Sequence, residues 1–137
     1  MARSSVVTFS ALWRAYGEGR LERSLDLIDP ECSLVTVEGR TYHGHDGVTE
    51  WLTGVRREWK TLMVTYESVE EPYVGWAVGI GRVVGASIDG AQTIDAPLVC
   101  VGGFRDGRLV HGRAFETVGD ALRYARERAA GDPGHPG

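Results

Sequence analysis

From Leu62 to Glu116 the apolar residues recur with a period of two through four successive stretches, and this long β-meander signature constrains the chain more than any other feature. The stretches predict strands over about residues 63–71, 76–88, 91–104 and 108–116. Two joints are sharply signalled. Ile88-Asp89-Gly90-Ala91 and Arg105-Asp106-Gly107-Arg108 each set Asp-Gly between apolar runs, and that dipeptide tolerates the positive φ of tight hairpin turns. Pro72 to Gly75 makes the remaining joint. Gly79, Gly81, Gly85, Gly102 and Gly103 fall inside the strands, where glycine weakens a flat ladder but permits bulges and bends. Long antiparallel strands with such kinks predict a strongly curved sheet.

The segments around the meander carry helical spacing. Val6, Phe9, Leu12, Trp13 and Tyr16 form one face of a helix that Ser4 or Ser5 can cap and that Gly17 and Gly19 stop. Leu21, Leu25 and Ile28 mark a second, short helix ended by Asp29-Pro30, because the residue before proline avoids helical angles. Cys32 to Val37 reads as a strand, and Glu38-Gly39-Arg40 as a turn. A third helix opens near Gly44 to Gly47 and runs to about Trp59, with Val48, Trp51, Leu52, Val55 and Trp59 on one stripe. After the meander, Thr117-Val118-Gly119-Asp120 has capping-box spacing, and Leu122, Ala125 and Ala129 continue a C-terminal helix. One domain over residues 1–130 and a disordered tail over 131–137, with two prolines and three glycines, follow from this order.

The 137 residues suffice to bury roughly 68% of the unfolded chain's surface, enough for a proper core. A formal net charge of -4 argues against nucleic acid and against an anionic membrane surface, both of which select basic faces. No stretch approaches the roughly 20 apolar residues of a membrane span, and no targeting segment is evident, so the expected location is the cytoplasm. Cys32 and Cys100 stand alone, fit no zinc or redox spacing, and read as small buried apolar residues.

The order helix, helix, strand, helix, four-strand meander resembles the nuclear-transport-factor-2-like superfamily, which includes SnoaL-like polyketide cyclases and ketosteroid isomerases. The residues that carry the likeness are Gly17-Glu18-Gly19-Arg20-Leu21, Leu27-Ile28-Asp29-Pro30-Glu31, Gly39-Arg40-Thr41-Tyr42-His43-Gly44 with Gly47-Val48, and Asp106-Gly107-Arg108-Leu109-Val110. The resemblance spans about residues 6 to 125 and implies an α+β fold. In it a strongly curved antiparallel sheet is wrapped by three N-terminal helices into a cone-shaped α+β barrel, with a C-terminal helix. It also implies a pocket for a small hydrophobic molecule, no cofactor, and a homodimer formed through the convex sheet face.

Matching strand alternation to ketosteroid isomerase and limonene epoxide hydrolase places Ile80, Arg82, Val84, Asp95, Val99, Val101, Val110, Gly112, Ala114 and Glu116 inward. Leu109, His111, Arg113 and Phe115 then face a partner. The catalytic sets of these relatives do not carry over. Val35 or Thr36 stands where the isomerase has its Asp base, Leu12 where it has a Tyr, and Val101 where it has a buried acid. Arg82 matches the hydrolase Arg, but Val84 and Ala114 stand where its two acids belong. Arg82, Asp95 and Glu116 remain as an inward polar group. Asp95 or Glu116 would carry a proton and Arg82 would stabilise an anion; the alternative is an ion pair that only satisfies itself. Trp13, Tyr16, Tyr42, Trp51 and Val101 are the candidate ligand-lining residues, with the competing role of core packing. His43, His45 and Glu50 have the residue types of a metal motif. Their place in a loop entering a helix favours two ordinary loop histidines, so no metal site is assigned.

Three functions stay open on this reading. The first is an isomerase-, cyclase- or hydrolase-like enzyme working by cofactor-free acid/base catalysis on a small apolar oxygenated substrate. The second is a non-catalytic binding module. The third is a dimerisation domain with a vestigial cavity, filled by Trp13, Trp51, Trp59 and Trp76.

Overall fold

A computed structural model of the chain describes residues 5–17 and 21–131, without the side chains of Tyr16 and Leu21. Its elements are α1 (Ser5–Gly17), α2 (Leu21–Asp26), β1 (Ile28–Val35), β2 (Thr41–His43), α3 (Gly44–Glu58), β3 (Trp59–Tyr73), β4 (Trp76–Ser87), β5 (Thr93–Arg105), β6 (Arg108–Phe115) and α4 (Val118–Gly131). Residues 132–137 of the expected tail lie outside the described residues. No described helix is long and apolar enough to cross a membrane.

The six strands form one curved sheet in the order β2-β1-β6-β5-β4-β3. It does not close into a barrel: β2 and β3 remain its two edges. All neighbours pair antiparallel except β1 with β6, which run parallel. The β3–β4 ladder shifts register at Trp59/Thr61, Tyr66/Ser68 and Glu70/Tyr73, and the β5–β6 ladder at Gly103/Phe104. Each bulge adds local twist and bends its strand, which is how strands of 12 to 15 residues curve here.

The β5–β6 joint is the hairpin read from Asp-Gly: Asp106 has φ 53° and Gly107 φ 75°, as a two-residue turn with left-handed central residues requires. Thr117 caps α4, with the Asp120 amide donating to the Thr117 hydroxyl at 3.2 Å, while the Asp120 carboxylate pairs with Arg123. The start of β1 departs from expectation. Ile28 to Pro30 belongs to the strand, and Pro30 falls in the irregular stretch between the Ile28 and Ser33 pairings, where no ladder amide is needed. Trp59 leaves the helical stripe and begins β3.

Helices cover both faces. On the inner face, α1, α2 and α3 bury Phe9, Ile28, Cys32, Val48, Leu52, Ala77, Phe104 and Leu109 as one core. On the outer face, α4 buries Trp76, Val78, Val99 and Val101 under Ala121 and Ala125. Fully burying each of the larger side chains stabilises the fold by roughly 1.5–3 kcal/mol.

Candidate functional site

The inner face is built from rings. Phe9 projects from α1 and meets Tyr66 of β3 edge-on, with centroids 5.2 Å apart. Trp13 approaches the same tyrosine at 5.5 Å, and Phe104 lies 6.5 Å from Phe9. Gly79 makes room for them: a Cβ there would stand 2.7 Å from Phe9 Cζ and 2.8 Å from Tyr66 Cε1. Trp51 of α3 and Cys100 of β5 pack against the same cluster. Two polar atoms are shut inside without a hydrogen-bond partner, the Tyr66 hydroxyl and the Thr8 hydroxyl. Cys100 lies beside Tyr66, but a thiol is a weak partner for a phenol. Burial pushes the Tyr66 phenol upward and the Cys100 thiol up to about 11, so both stay protonated at neutral pH. Burial, and then Asp29, pushes the Cys32 thiol up to about 12.

Few of the residues singled out from the sequence meet here. Trp13 and Trp51 do. The Tyr16 side chain lies outside the described residues. Tyr42 faces elsewhere: with Arg40, Thr41, His43, Asp46, Gly47 and Glu50 it lines an open surface groove of about 610 Å³, and its hydroxyl accepts a hydrogen bond from Arg40 at 3.3 Å. Val101 is buried under α4, on the other side of the sheet.

The facing expected for Arg82 and Asp95 is corrected by the register. Ile80 pairs with Val99 and Val78 with Val101, and all four belong to the α4 side. Alternation therefore carries Arg82, Val84 and Asp95 outward as well. Arg82 and Asp95 form an ion pair there with side chains 51% and 64% exposed. Glu116 is exposed beyond the end of β6 and has no part in that pair.

On β6 the expected inward facing of Gly112 and Ala114 agrees with their neighbours. A Cβ at Gly112 would meet Leu34, and Ala114 pairs with Cys100. Leu109 is not outward but part of the inner core. His111 and Phe115 face α4, with rings 5.7 and 5.2 Å from Tyr124.

His43 and His45 diverge. His45 Nε2 donates to the Ile28 carbonyl at 2.7 Å, whereas His43 turns to Glu31 and Ser33. Among the described residues, no three His, Cys, Asp or Glu side chains converge as metal ligands would.

Tyr66, the central polar group of the inner face, was not among the residues selected from sequence. Its signal was present in the alternation of Leu62, Val64 and Tyr66 against Met63, Thr65 and Glu67, which places Tyr66 with the buried set.

No protein-family model and no curated protein matches the chain. Solved structures do. A nuclear-transport-factor-2-like protein of Burkholderia thailandensis E264 superposes with a TM-score of 0.76 at 16% identity, covering 90% of this chain and 98% of that one. TerC, crystallised with polyporic acid, gives 0.74 at 19% identity over 89% and 98%. A protein from Jannaschia sp. CCS1 assigned to the SnoaL-like polyketide cyclases gives 0.71 at 20% identity over 88% and 90%. The chain has the nuclear-transport-factor-2-like fold.

Proposed function

We propose that this chain uses the inner face of its cone-fold sheet to bind a small, largely apolar molecule carrying a hydrogen-bond acceptor, and that it binds without transforming it. The carrying observation is the Tyr66 hydroxyl, buried among Phe9, Trp13 and Cys100 with only the weakly bonding Cys100 thiol beside it. An unpaired buried donor costs about 1–3 kcal/mol, and a ligand oxygen accepting from it would offset that cost. Aromatic walls around one oriented polar group are the usual make-up of a small-molecule site. TerC, crystallised with polyporic acid, supplies the precedent for an organic ligand on this fold.

Binding is preferred to acid/base catalysis for a specific reason. A carboxylate carries protons near neutral pH only where it is desolvated, and no Asp, Glu, Lys or Arg is buried among the described residues. Arg82 and Asp95, offered for that role by the sequence, bond to each other in solvent.

A second copy of the chain is the proposed partner. Beyond the reach of α4 the outer face leaves Met63 and Val84, cross-strand neighbours, 65% and 47% exposed. A two-fold dimer would cover them, and Val84→Lys should then shift the chain to monomer in light scattering.

The ligand reading is tested with an aromatic ketone probe, 2-acetylnaphthalene, followed by calorimetry and thermal shift. It should bind the wild-type chain and lose about fivefold in affinity in Tyr66→Phe, the equivalent of one neutral hydrogen bond of about 1 kcal/mol. Equal affinity in the two proteins, or no binding to either, would remove the inner face as a site.

A further inference from the structure

A different cluster lies on the outer face at the β2–β1–β6 end, three strands away from Val84. Ser33 stands in the middle of β1, turned away from its fully buried neighbour Cys32. It is the register partner of His43 on one side and of His111 on the other, so imidazoles flank one hydroxyl along a single row of the sheet. Ser33 Oγ is 3.5 Å from His43 Nδ1, and His43 Nε2 is 3.4 Å from Glu31 Oε2. Serine, histidine and carboxylate thus stand in sequence, at the looser spacing usual before a substrate draws such groups together.

The second histidine is held differently. Its Nε2 shares a hydrogen bond with the Tyr124 hydroxyl, which also takes one from Arg113. Assigning the phenol as donor to Nε2 puts the ring proton of His111 on Nδ1. Burial, then the charges of Arg128 and Arg113, push His111 down to about 4, so it is a neutral donor across the physiological range. Arg113, two positions along β6, has its Nε buried and unpartnered. His43 also borders the open groove of about 610 Å³ between β2 and the start of α3, but Ser33, His111 and Arg113 do not line that groove, so a substrate would have to approach Ser33 from the outer face of the sheet.

We infer that Ser33 is a nucleophile for acyl transfer from small esters, with His43 as its general base and Glu31 as the residue that positions His43. Ser33 Oγ bonds to the ester carbonyl carbon while its proton passes to His43 Nδ1. The negative charge that develops on the carbonyl oxygen is met by Arg113 and by the Nδ1 proton of His111. Collapse of the tetrahedral intermediate breaks the bond to the alcohol oxygen, which leaves with the proton held by His43. A water molecule, deprotonated by His43, then attacks the acyl carbon. The acid is released, and Ser33 Oγ recovers a proton. This site is independent of the inner face, and either can fail without the other.

The experiment uses the full chain and p-nitrophenyl acetate. Wild type should accelerate p-nitrophenolate release over buffer and carry an acetyl group on the Ser33 peptide in a rapidly quenched digest. Ser33→Ala and His43→Ala should each lose about a hundredfold of the protein-dependent rate, the typical scale for a positioned base. Glu31→Gln, at a side chain 85% exposed, should lower kcat with KM unchanged. Circular dichroism of each variant checks that the fold is kept. No acceleration, an unchanged rate in Ser33→Ala, or acetyl found on His43 or Lys60 with Ser33 unmodified would each overturn the inference.

Discussion

The inner face of the sheet is closed by rings from α1 and α3, and the outer face by the small side chains of α4. Ala121 and Ala125, both fully buried, let the α4 backbone come down onto Trp76, Val78, Val99 and Val101. Gly103 completes the fit, since a Cβ there would stand 2.8 Å from two atoms of the Trp76 ring. The phenols on the two faces differ in the same sense. Tyr124 on the outer side is hydrogen-bonded to His111 and lies under Arg113, whose guanidinium carbon is 5.4 Å from the ring centre. Tyr66 on the inner side has no such partner. Of the two phenols, the outer one is satisfied by the protein and the inner one is not. That contrast is why the ligand is assigned to the inner face, although both are well covered.

The sharpest way to break the contrast is to cut the outer core. Trp76 is 2% exposed, and Trp76→Ala should cost about 3–5 kcal/mol in urea unfolding, as removal of a large buried ring does. A cost below about 1 kcal/mol would mean that α4 is only loosely seated on the outer face.

Acid should loosen the outer face next. His111 in the fold sits at about 4, below its ordinary 6.5, because burial and two arginines favour the neutral ring. The folded state therefore binds fewer protons than the unfolded one between these values. Stability is whole above pH 6.5 and declines as pH falls from 6.5 toward 4. His111→Asn should flatten that decline in a series of melting curves. Parallel curves for the two proteins would show that the ring is not held neutral beneath α4.

Much of this architecture was readable in the residues. The Asp106-Gly107 hairpin, the Thr117 cap, the α3 start at Gly44 and the β4 start at Trp76 stand where local chemistry put them. The facing of the strands was not readable, and the reason is physical. Along β4 the inner side carries Ala77, Gly79 and Gly81, kept small so that Phe9 and Tyr66 can intrude, while the outer side carries Val78 and Ile80. Large apolar residues thus mark the outer face, the reverse of what burial beneath three helices suggests. The register pair Val101↔Arg113 also shows that Val101 and Arg113 share a face, which no single strand reveals. The Ser33–His43–Glu31 row is legible only after β1 and β2 are paired, because Glu31 and Ser33 are 12 and 10 residues from His43.

Tyr66→Phe sharpens the same comparison from the inner side. Deleting a hydroxyl whose only neighbour is a weakly bonding thiol removes a desolvation cost, so stability should hold or rise by up to about 1 kcal/mol. Tyr124→Phe, at the partnered phenol, should lose about 1 kcal/mol. The two changes delete one oxygen each, and only the sign distinguishes them. A loss at Tyr66 comparable to that at Tyr124 would mean that the inner hydroxyl has a partner after all and that no ligand is needed to satisfy it.

The smallest effect belongs to Arg82 and Asp95, and it bears on where the outer face stops being a core. Beyond α4 the same side of the sheet is open to solvent, and the ion pair there is half-exposed or more on both sides. Exposed pairs of this kind are worth about 0.2–1 kcal/mol, because water screens the charges and two long side chains lose freedom to meet. A double-mutant cycle on Arg82→Met and Asp95→Asn should return a coupling in that range, shrinking as salt is added. A coupling well above it, insensitive to salt, would require the pair to be sealed from water. The second copy of the chain would be the natural seal, so the coupling should then drop when Val84→Lys separates the copies.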